Sequence, residues 1–463
     1  MNNQAGRLSC LVVVSGGGFV RLENSLLQER GNAALALPLN HTMKVKNNSP
    51  LEPSARKKRM LFRIAYVFAV LLVAGALFLV YQKATHAEPG LYAIEASQDS
   101  HVPGYQNGVS LQHYFSGNSL QIRYSIKTLT DAYSKALKDV YRLLDNSEIY
   151  SDWVNLASIN RNRGQELIVS PELYELLRLA DALSRREESC YNLYAGALYA
   201  EWEALRFLLE PAKADPVYDS DEAARLERLR AATADLSNFS LEFLDDEACK
   251  LRFTVDPAYL KLLEELELSD VPILDLNLLE DAFKLQLVAK RLEEQHFDCG
   301  YLCTDDGLAL ALSAFDQPGN FTLYGLGEDG VAVTALSPVS AGSAAVSLRN
   351  FPLEGEEGYY SVQLDGKSLL RSPWLPADGQ YQNSLLSALV CSKKQSLVDS
   401  VYYSLQLVAA ESAAALRDLT SSHGEFETSL LLQDGSKTIW SDAKGILVNE
   451  QAGFRLEPCS ALR

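Results

Sequence analysis

The stretch Cys190–Trp202, CYNLYAGALYAEW, sets Tyr191, Tyr194, Tyr199 and Trp202 around Gly196, with Asn192 as its one amide. Rings at that density make either an aromatic patch of core or the wall of a pocket for a ring-shaped ligand. Other groupings carry less chemistry. Cys299 and Cys303 stand four apart in CGYLC, but no second pair or histidine cluster completes a zinc site. His296 and His423 lie far apart without a nucleophile context, and His296 follows RLEEQ at a helix end, where a cation simply suits the dipole. The acidic run LEGEEGYY, Leu353–Tyr360, lacks the alternating ligand spacing of a Ca²⁺ loop and reads as a solvated turn.

At 463 residues, the chain is long enough for two or three domains of ordinary size, and its 47% apolar content supports a large core. A net charge of -18 without a basic face opposes nucleic acid as a partner. Arg56, Lys57, Lys58, Arg59 and Arg63 lead into the uncharged stretch Ile64–Tyr81, near the lower length limit for a bilayer-spanning helix. The cationic flank places the N-terminus in the cytoplasm and the C-terminal domain outside it, at a cell membrane crossed once. A signal anchor over 60–82 is the favoured reading; cleavage after ATHA, Ala84–Ala87, is the alternative. Residues 1–59 form a cytoplasmic tail, of which 1–42 suggest an overlong start because Met43 opens MKVKNN. Six cysteines follow the anchor, in a compartment that permits disulfides, and their pairing is open.

Residues 83–111 read as a linker. SLQIRYSI (119–126) alternates like a strand, whereas 128–145 and 170–187 carry helical spacing. The second of these opens with Ser170 as N-cap and Pro171 in the first turn. Residues 215–237, 279–297 and 396–419 read as helices. Short strands with turn signals are expected at 321–330, 344–350, 359–370 and 429–440. Helices followed by strands make one large α+β domain over 112–450, with a short tail at 451–463.

The segment from Tyr150 to Trp202 resembles the FAD:protein FMN transferases, the ApbE family. That family has a Tyr before a Ser-Glu-x-x-x-x-Asn stretch, a Val-Ser-Pro-Glu-Leu helix, a Gly-Ala-Phe-Asp-Pro-Thr loop and a Gly-x-Leu…Trp segment. Tyr150, Asn160, the VSPEL helix, Gly196, Leu198 and Trp202 stand in register. Further on, ILDLNLLEDAFK stands where Leu-Asp-Leu-Gly-Gly-Ile-Ala-Lys-Gly belongs, CTDDG for Asn-Leu-Gly-Gly-Asp, RSPWLPADG for His-Ile-Ile-Asp-Pro-x-Thr-Gly, and LVDSVYYSL for Ala-Asp-Ala-Leu-Ala-Thr-Ala. The resemblance implies a single flavin-transferase domain that binds FAD and Mg²⁺ and moves FMN onto a Thr or Ser of a target flavoprotein, releasing AMP. It places Tyr150, Tyr191, Asn192 and Asp275 around the cofactor, and Asp399, Leu278 and Tyr403 at the metal.

The departures are many. Tyr403 replaces a metal-binding threonine, and its phenol is a poor Mg²⁺ ligand. Asn277–Leu278 replaces the Gly-Gly that lets the cofactor approach. Asp281 stands at a basic or polar position, where it repels a pyrophosphate. Only Gly307 survives of the other glycine pair; Ser372 and Leu375 replace a histidine and an aspartate, while Pro376 and Gly379 remain. The resemblance and its departures leave three functions: a membrane-anchored FMN transferase, an inactive family member serving as a flavin-binding or protein-binding scaffold, and an anchored receptor for another ring-shaped solute.

Overall fold

The computed structural model describes residues 62, 66–76, 87–99, 102, 104, 105, 108–327, 330–353, 356–364, 367–377, 379 and 384–462. They fall into two compact units. One comprises Leu91–Phe115 with Ser125–Arg463, and the other the described residues up to Gly90 with Ser116–Tyr124. Of the expected membrane span 60–82, residues 62 and 66–76 are described, and they are helical. Among the described residues no helix is long and apolar enough to cross a membrane. The expected 1–59 tail lies outside the described residues.

The larger unit is built on a nine-stranded sheet. Its strands run across in the order Gly90–Ile94, Val109–Phe115, Gly300–Thr304, Leu308–Ala311, Ala344–Arg349, Leu385–Ser392, Glu427–Leu432, Thr438–Ser441 and Arg455–Glu457. Ala344–Arg349 pairs antiparallel with both Leu308–Ala311 and Leu385–Ser392, with Val346 opposite Leu308 and Val390. Thr438–Ser441 and Arg455–Glu457 pair in parallel. Alternate residues divide between two faces. One face, with Tyr301, Cys303, Ala309, Ala345, Leu389 and Leu431, joins a core cluster with Phe321, Leu323 and Ala335 of a three-stranded sheet. Helices Leu278–Glu293 and Leu397–Ala409 pack on each other and on the central strands. A further three-stranded sheet has Lys250–Val255 between Glu166–Ile168 and Phe239–Asp245.

Two segments expected outside the domain contribute to its sheet: the linker 83–111 supplies Gly90–Ile94 and the start of Val109–Phe115, and the tail 451–463 supplies Arg455–Glu457. Two further elements come out differently. SLQIRYSI is not a strand; it opens the helix Ser119–Leu144. The buried residues Leu129, Tyr133, Ala136, Leu137, Val140 and Leu144 keep helical spacing, and Asn118 Oδ1 accepts from the amides of Leu120 and Gln121. Over so few residues the alternation does not outweigh that stripe. The long helix expected over 396–419 is two helices, Leu397–Ala409 and Ala413–Ser422, because Ala410 turns extended and Ser412 caps a new start through the Ala415 amide. The Ser170 cap forms, with Leu173 donating at 3.2 Å. The six described cysteines are free thiols.

Candidate functional site

Asn160 sits at the end of helix Leu156–Arg161 and is buried. Its Oδ1 accepts from the amides of Ile273 at 3.1 Å and Leu274 at 2.8 Å, and its Nδ2 donates to the Leu274 carbonyl at 2.9 Å. The backbone just before Asp275 is thus held by one side chain that mimics a strand neighbour. From the other side the Asp275 amide donates to the Leu193 carbonyl at 2.9 Å, and Gly196 donates to Ile273 at 3.1 Å. At Gly196 a Cβ would lie 2.3 Å from the Pro272 carbonyl oxygen. Only glycine allows the start of the helix Gly196–Arg206 to press against this segment.

Asp275 accepts from the Asn277 amide at 2.6 Å and from Asn146 Nδ2 at 2.9 Å. Burial pushes its carboxyl up from the ordinary value, Glu203 adds to this, and the two donors oppose it. Next to Asn146, Asp145 accepts from the Tyr150 hydroxyl at 2.7 Å. The neighbours Asp145 and Asn146 therefore tie Tyr150 and Asp275 into one site. Arg142 lies over the rings of Tyr150 at 4.7 Å and Trp153 at 5.3 Å. Tyr191 is 1% exposed, and its hydroxyl has no hydrogen-bond partner among the described residues. Burial pushes that phenol well above its ordinary value, with Tyr199 and Asp275 adding.

Asn192 has a different role from the one expected. Its Nδ2 donates to the Thr233 carbonyl at 3.0 Å, and its Oδ1 accepts from the Tyr194 amide at 2.9 Å. Both ends of the amide hold main chain. The stretch around it is core, with Tyr194 stacked on Phe239 at 4.8 Å and its hydroxyl donating to Asp181 at 2.5 Å.

Asn277 precedes helix Leu278–Glu293 with φ 44° and ψ -126°, a conformation that favours glycine. Asn277 thus holds a glycine-like backbone with a side chain, and it makes no capping bond in return. Asn277→Gly is expected to stabilise the chain by about 1 kcal/mol, the relief of strain exceeding the added entropy of the unfolded glycine. Urea unfolding beside Asn277→Ala, which keeps the strain, measures it.

The first turn of that helix carries Glu280 and Asp281, and both pair with Lys284, at 3.5 Å from Glu280 Oε1. Asp306 accepts from the Thr304 hydroxyl. Burial pushes Glu280 up to about 7, with Asp281 and Asp275 adding and Lys284 opposing. Asp306 also rises to about 7 through burial and Asp281, against Thr304 and Lys284. Burial alone would lower the Lys284 ammonium, but these carboxylates raise it. In the unfolded chain the two acids titrate near 4.5 and 3.8. The folded state therefore holds more protons between those values and about 7, and stability falls as pH rises through that window. A loss of about 1–2 kcal/mol between about pH 5.5 and about pH 8 is expected, discounted for partial exposure. Glu280→Gln should flatten part of the slope in urea titrations at the two pH values.

At the expected metal position, Asp399 lies in the first turn of Leu397–Ala409. Its amide donates to Ser396 Oγ at 3.0 Å, and its Oδ2 accepts from the same hydroxyl at 2.7 Å. Leu278 begins the neighbouring helix. Tyr403 is buried, stacked on Phe426 at 4.6 Å, and its hydroxyl accepts from Thr428 Oγ1 at 3.4 Å. Among the described residues no three His, Cys, Asp or Glu side chains converge as a metal site. Of the three side chains expected at the metal only Asp399 is a carboxylate; Leu278 has no donor atom, and the Tyr403 phenol is bonded to Thr428. Ser372 is buried, donating to Asn350 Oδ1 at 3.0 Å. The turn after it is anchored by Ala377 donating to the Cys190 carbonyl at 3.0 Å. His423 lies beside Tyr403, and Glu356 of the acidic run pairs with the buried Arg349.

Sequence reasoning missed Asp145, Asn146, Glu280, Lys284 and Asp306. Glu280 and Asp281 at a helix start were visible as charges, but their convergence with Asp306 needed the fold.

The ApbE family model matches residues 117–263. No curated protein matches the chain. Among solved structures, the ApbE protein of Thermotoga maritima matches with a TM-score of 0.52 at 14% identity, covering 78% of this chain and 97% of that one. A flavin transferase ApbE from Vibrio cholerae matches at 0.48 and 12% identity, over 75% of this chain and 95% of its own. The apo flavinyl transferase ApbE of Pseudomonas stutzeri matches at 0.48 and 14%, over 75% and 93%. The family match and the Thermotoga-like fold are together consistent with a divergent member of the ApbE family.

Proposed function

We propose that this chain is an ApbE-type flavin protein, anchored by residues 60–82 with its large domain outside the cytoplasm, whose cleft takes the flavin of FAD beside Tyr150 and Asp275. The reaction such a cleft serves is transfer of FMN to a Thr or Ser hydroxyl of a target flavoprotein. The hydroxyl oxygen bonds to the FMN-side phosphorus of the pyrophosphate, the bridging P–O bond breaks, and AMP leaves, with the hydroxyl proton passing to its phosphate or to water. The observation that carries the reading is the Asn160 clamp, which places Asp275 within reach of Asn146 while Asp145 of the same turn orients Tyr150. A flavin ring suits this end of the cleft: Tyr150 supplies a face, and Tyr191 a buried hydroxyl without a partner. When bound, FAD supplies the pyrophosphate that is split. Lys284, the cation among the acids of the first helical turn, is already claimed by Glu280 and Asp281.

A second reading, binding without transfer, is favoured by Tyr403 and Asp399, whose polar groups are taken up by Thr428 and Ser396. No step of the transfer reading is routed through a metal, because among the side chains expected to hold it only Asp399 is a carboxylate.

Titration of FAD into the full chain, followed by flavin fluorescence, tests both. Saturable quenching that weakens about tenfold in Tyr150→Ala supports the flavin cleft. AMP release with an acceptor protein supports transfer, and binding without AMP supports the second reading. No quenching sinks both flavin readings.

A further inference from the structure

A pocket of about 610 Å³ is lined by the hairpin of Tyr360–Leu364 and Lys367–Arg371, by the strands Leu385–Ser392 and Glu427–Leu432, and by Phe454. None of Tyr150, Tyr191, Asn192, Asp275, Leu278, Asp399 and Tyr403 lines it. Its volume is that of a site for a compact organic molecule. The rings of Phe351, Tyr359, Tyr360 and Phe454 contribute to its walls, so a flat aromatic body is favoured over an alkyl chain.

Among the polar side chains that line it are Arg371, Lys437 and Gln433. Arg371 is matched by Asp215, in a pair at 2.8 and 3.0 Å, and adds no net charge. Lys437 donates to the Ala452 carbonyl at 3.2 Å and lies 5.7 Å from the centre of the Phe454 ring. Among the described residues no carboxylate pairs with it. An ammonium has three donors, and here a carbonyl uses one. The third group is Gln433, whose Oε1 is buried without a hydrogen-bond partner. A buried amide oxygen in that state is a cost that a donor from a ligand removes.

We propose that this pocket binds a small aromatic carboxylate, its carboxylate at Lys437 and a hydroxyl donor on its ring at Gln433. The site is separate from the flavin cleft, and it stands or falls independently of that reading.

6-Hydroxy-2-naphthoate titrated into the full chain, read by its own fluorescence, tests the proposal against 2-naphthol, which lacks the carboxylate. Saturable binding of the acid about tenfold tighter than the naphthol is expected, with the preference lost in Lys437→Gln. Gln433→Leu should weaken the hydroxynaphthoate more than plain 2-naphthoate, and it should keep or raise the melting temperature, which certifies the fold. Equal binding of acid and naphthol, no saturable binding, or an unchanged Lys437→Gln would overturn the proposal. So would displacement of the probe by FAD, which would put it in the flavin cleft.

Discussion

Replacing Asn160 by alanine is expected to cost about 3–5 kcal/mol of stability and to abolish flavin binding. Three main-chain groups, the amides of Ile273 and Leu274 and the carbonyl of Leu274, lose their partner together. Each buried group left unpaired costs about 1–3 kcal/mol, less whatever local movement recovers. Asn160→Asp keeps the acceptor but loses the donor and buries a charge, so it should rescue little. Urea unfolding gives the stability, and flavin quenching on protein that is still folded gives the function. A loss below about 1 kcal/mol would mean that the Asp275 segment is held mainly by Leu193 and Gly196 instead.

A loss of similar size is expected for Arg371→Ala. Asp215 is fully buried and accepts from Arg371 twice, from Tyr360 at 2.8 Å and from the Val217 amide at 2.9 Å. Burial pushes its carboxyl up, but Arg371 and the other donors hold it below the usual range. Removing the guanidinium leaves a buried charge short of its counterion, at a cost of about 3–5 kcal/mol. The depressed carboxyl contributes stability above its unfolded value of 3.8, and this is lost as pH falls through the folded one. The difference between wild type and Arg371→Ala should therefore be largest near neutrality and shrink towards about pH 4, as the orphaned carboxyl gains a proton. Guanidinium melts at the two pH values measure it. A difference independent of pH would locate the damage in the lost packing of Arg371 over Trp202.

Much of the fold was legible because its signals are local. Ser170 and Pro171 announce a helix start, and the strands around Val346 and Leu430 are short, largely apolar segments bounded by turns. What misled were signals of equal local strength. SLQIRYSI alternates over eight residues, but helical burial resumes at Leu129 and takes the whole segment. Nothing before Ser412 announces that the 396–419 pattern breaks. At the site, register with a family pointed to Asp275, Tyr150, Asn160 and Gly196, and the structure gives the last two definite jobs in holding Asp275. Register could not show that Asn192 spends both ends of its amide on main chain, or that Tyr403 turns towards Phe426. Those outcomes depend on partners far along the chain. Asn277 is the sharpest case: an asparagine on a backbone whose φ and ψ favour glycine.

The partners that hold the Asp275 segment, and those that pair Asp215, are distant in the chain. Asn160 reaches Leu274 across 114 residues, Asn146 reaches Asp275 across 129, and Arg371 reaches Asp215 across 156. Closing loops of that length costs chain entropy before any contact repays it, so such contacts form late and slowly. A chain emerging vectorially has no cleft until Leu274 and Asp275 appear, and no pair for Asp215 until Arg371 does. Ligand capture is then a property of the finished molecule alone. On the flavin reading, a half-made chain can neither be rescued by FAD nor trap it.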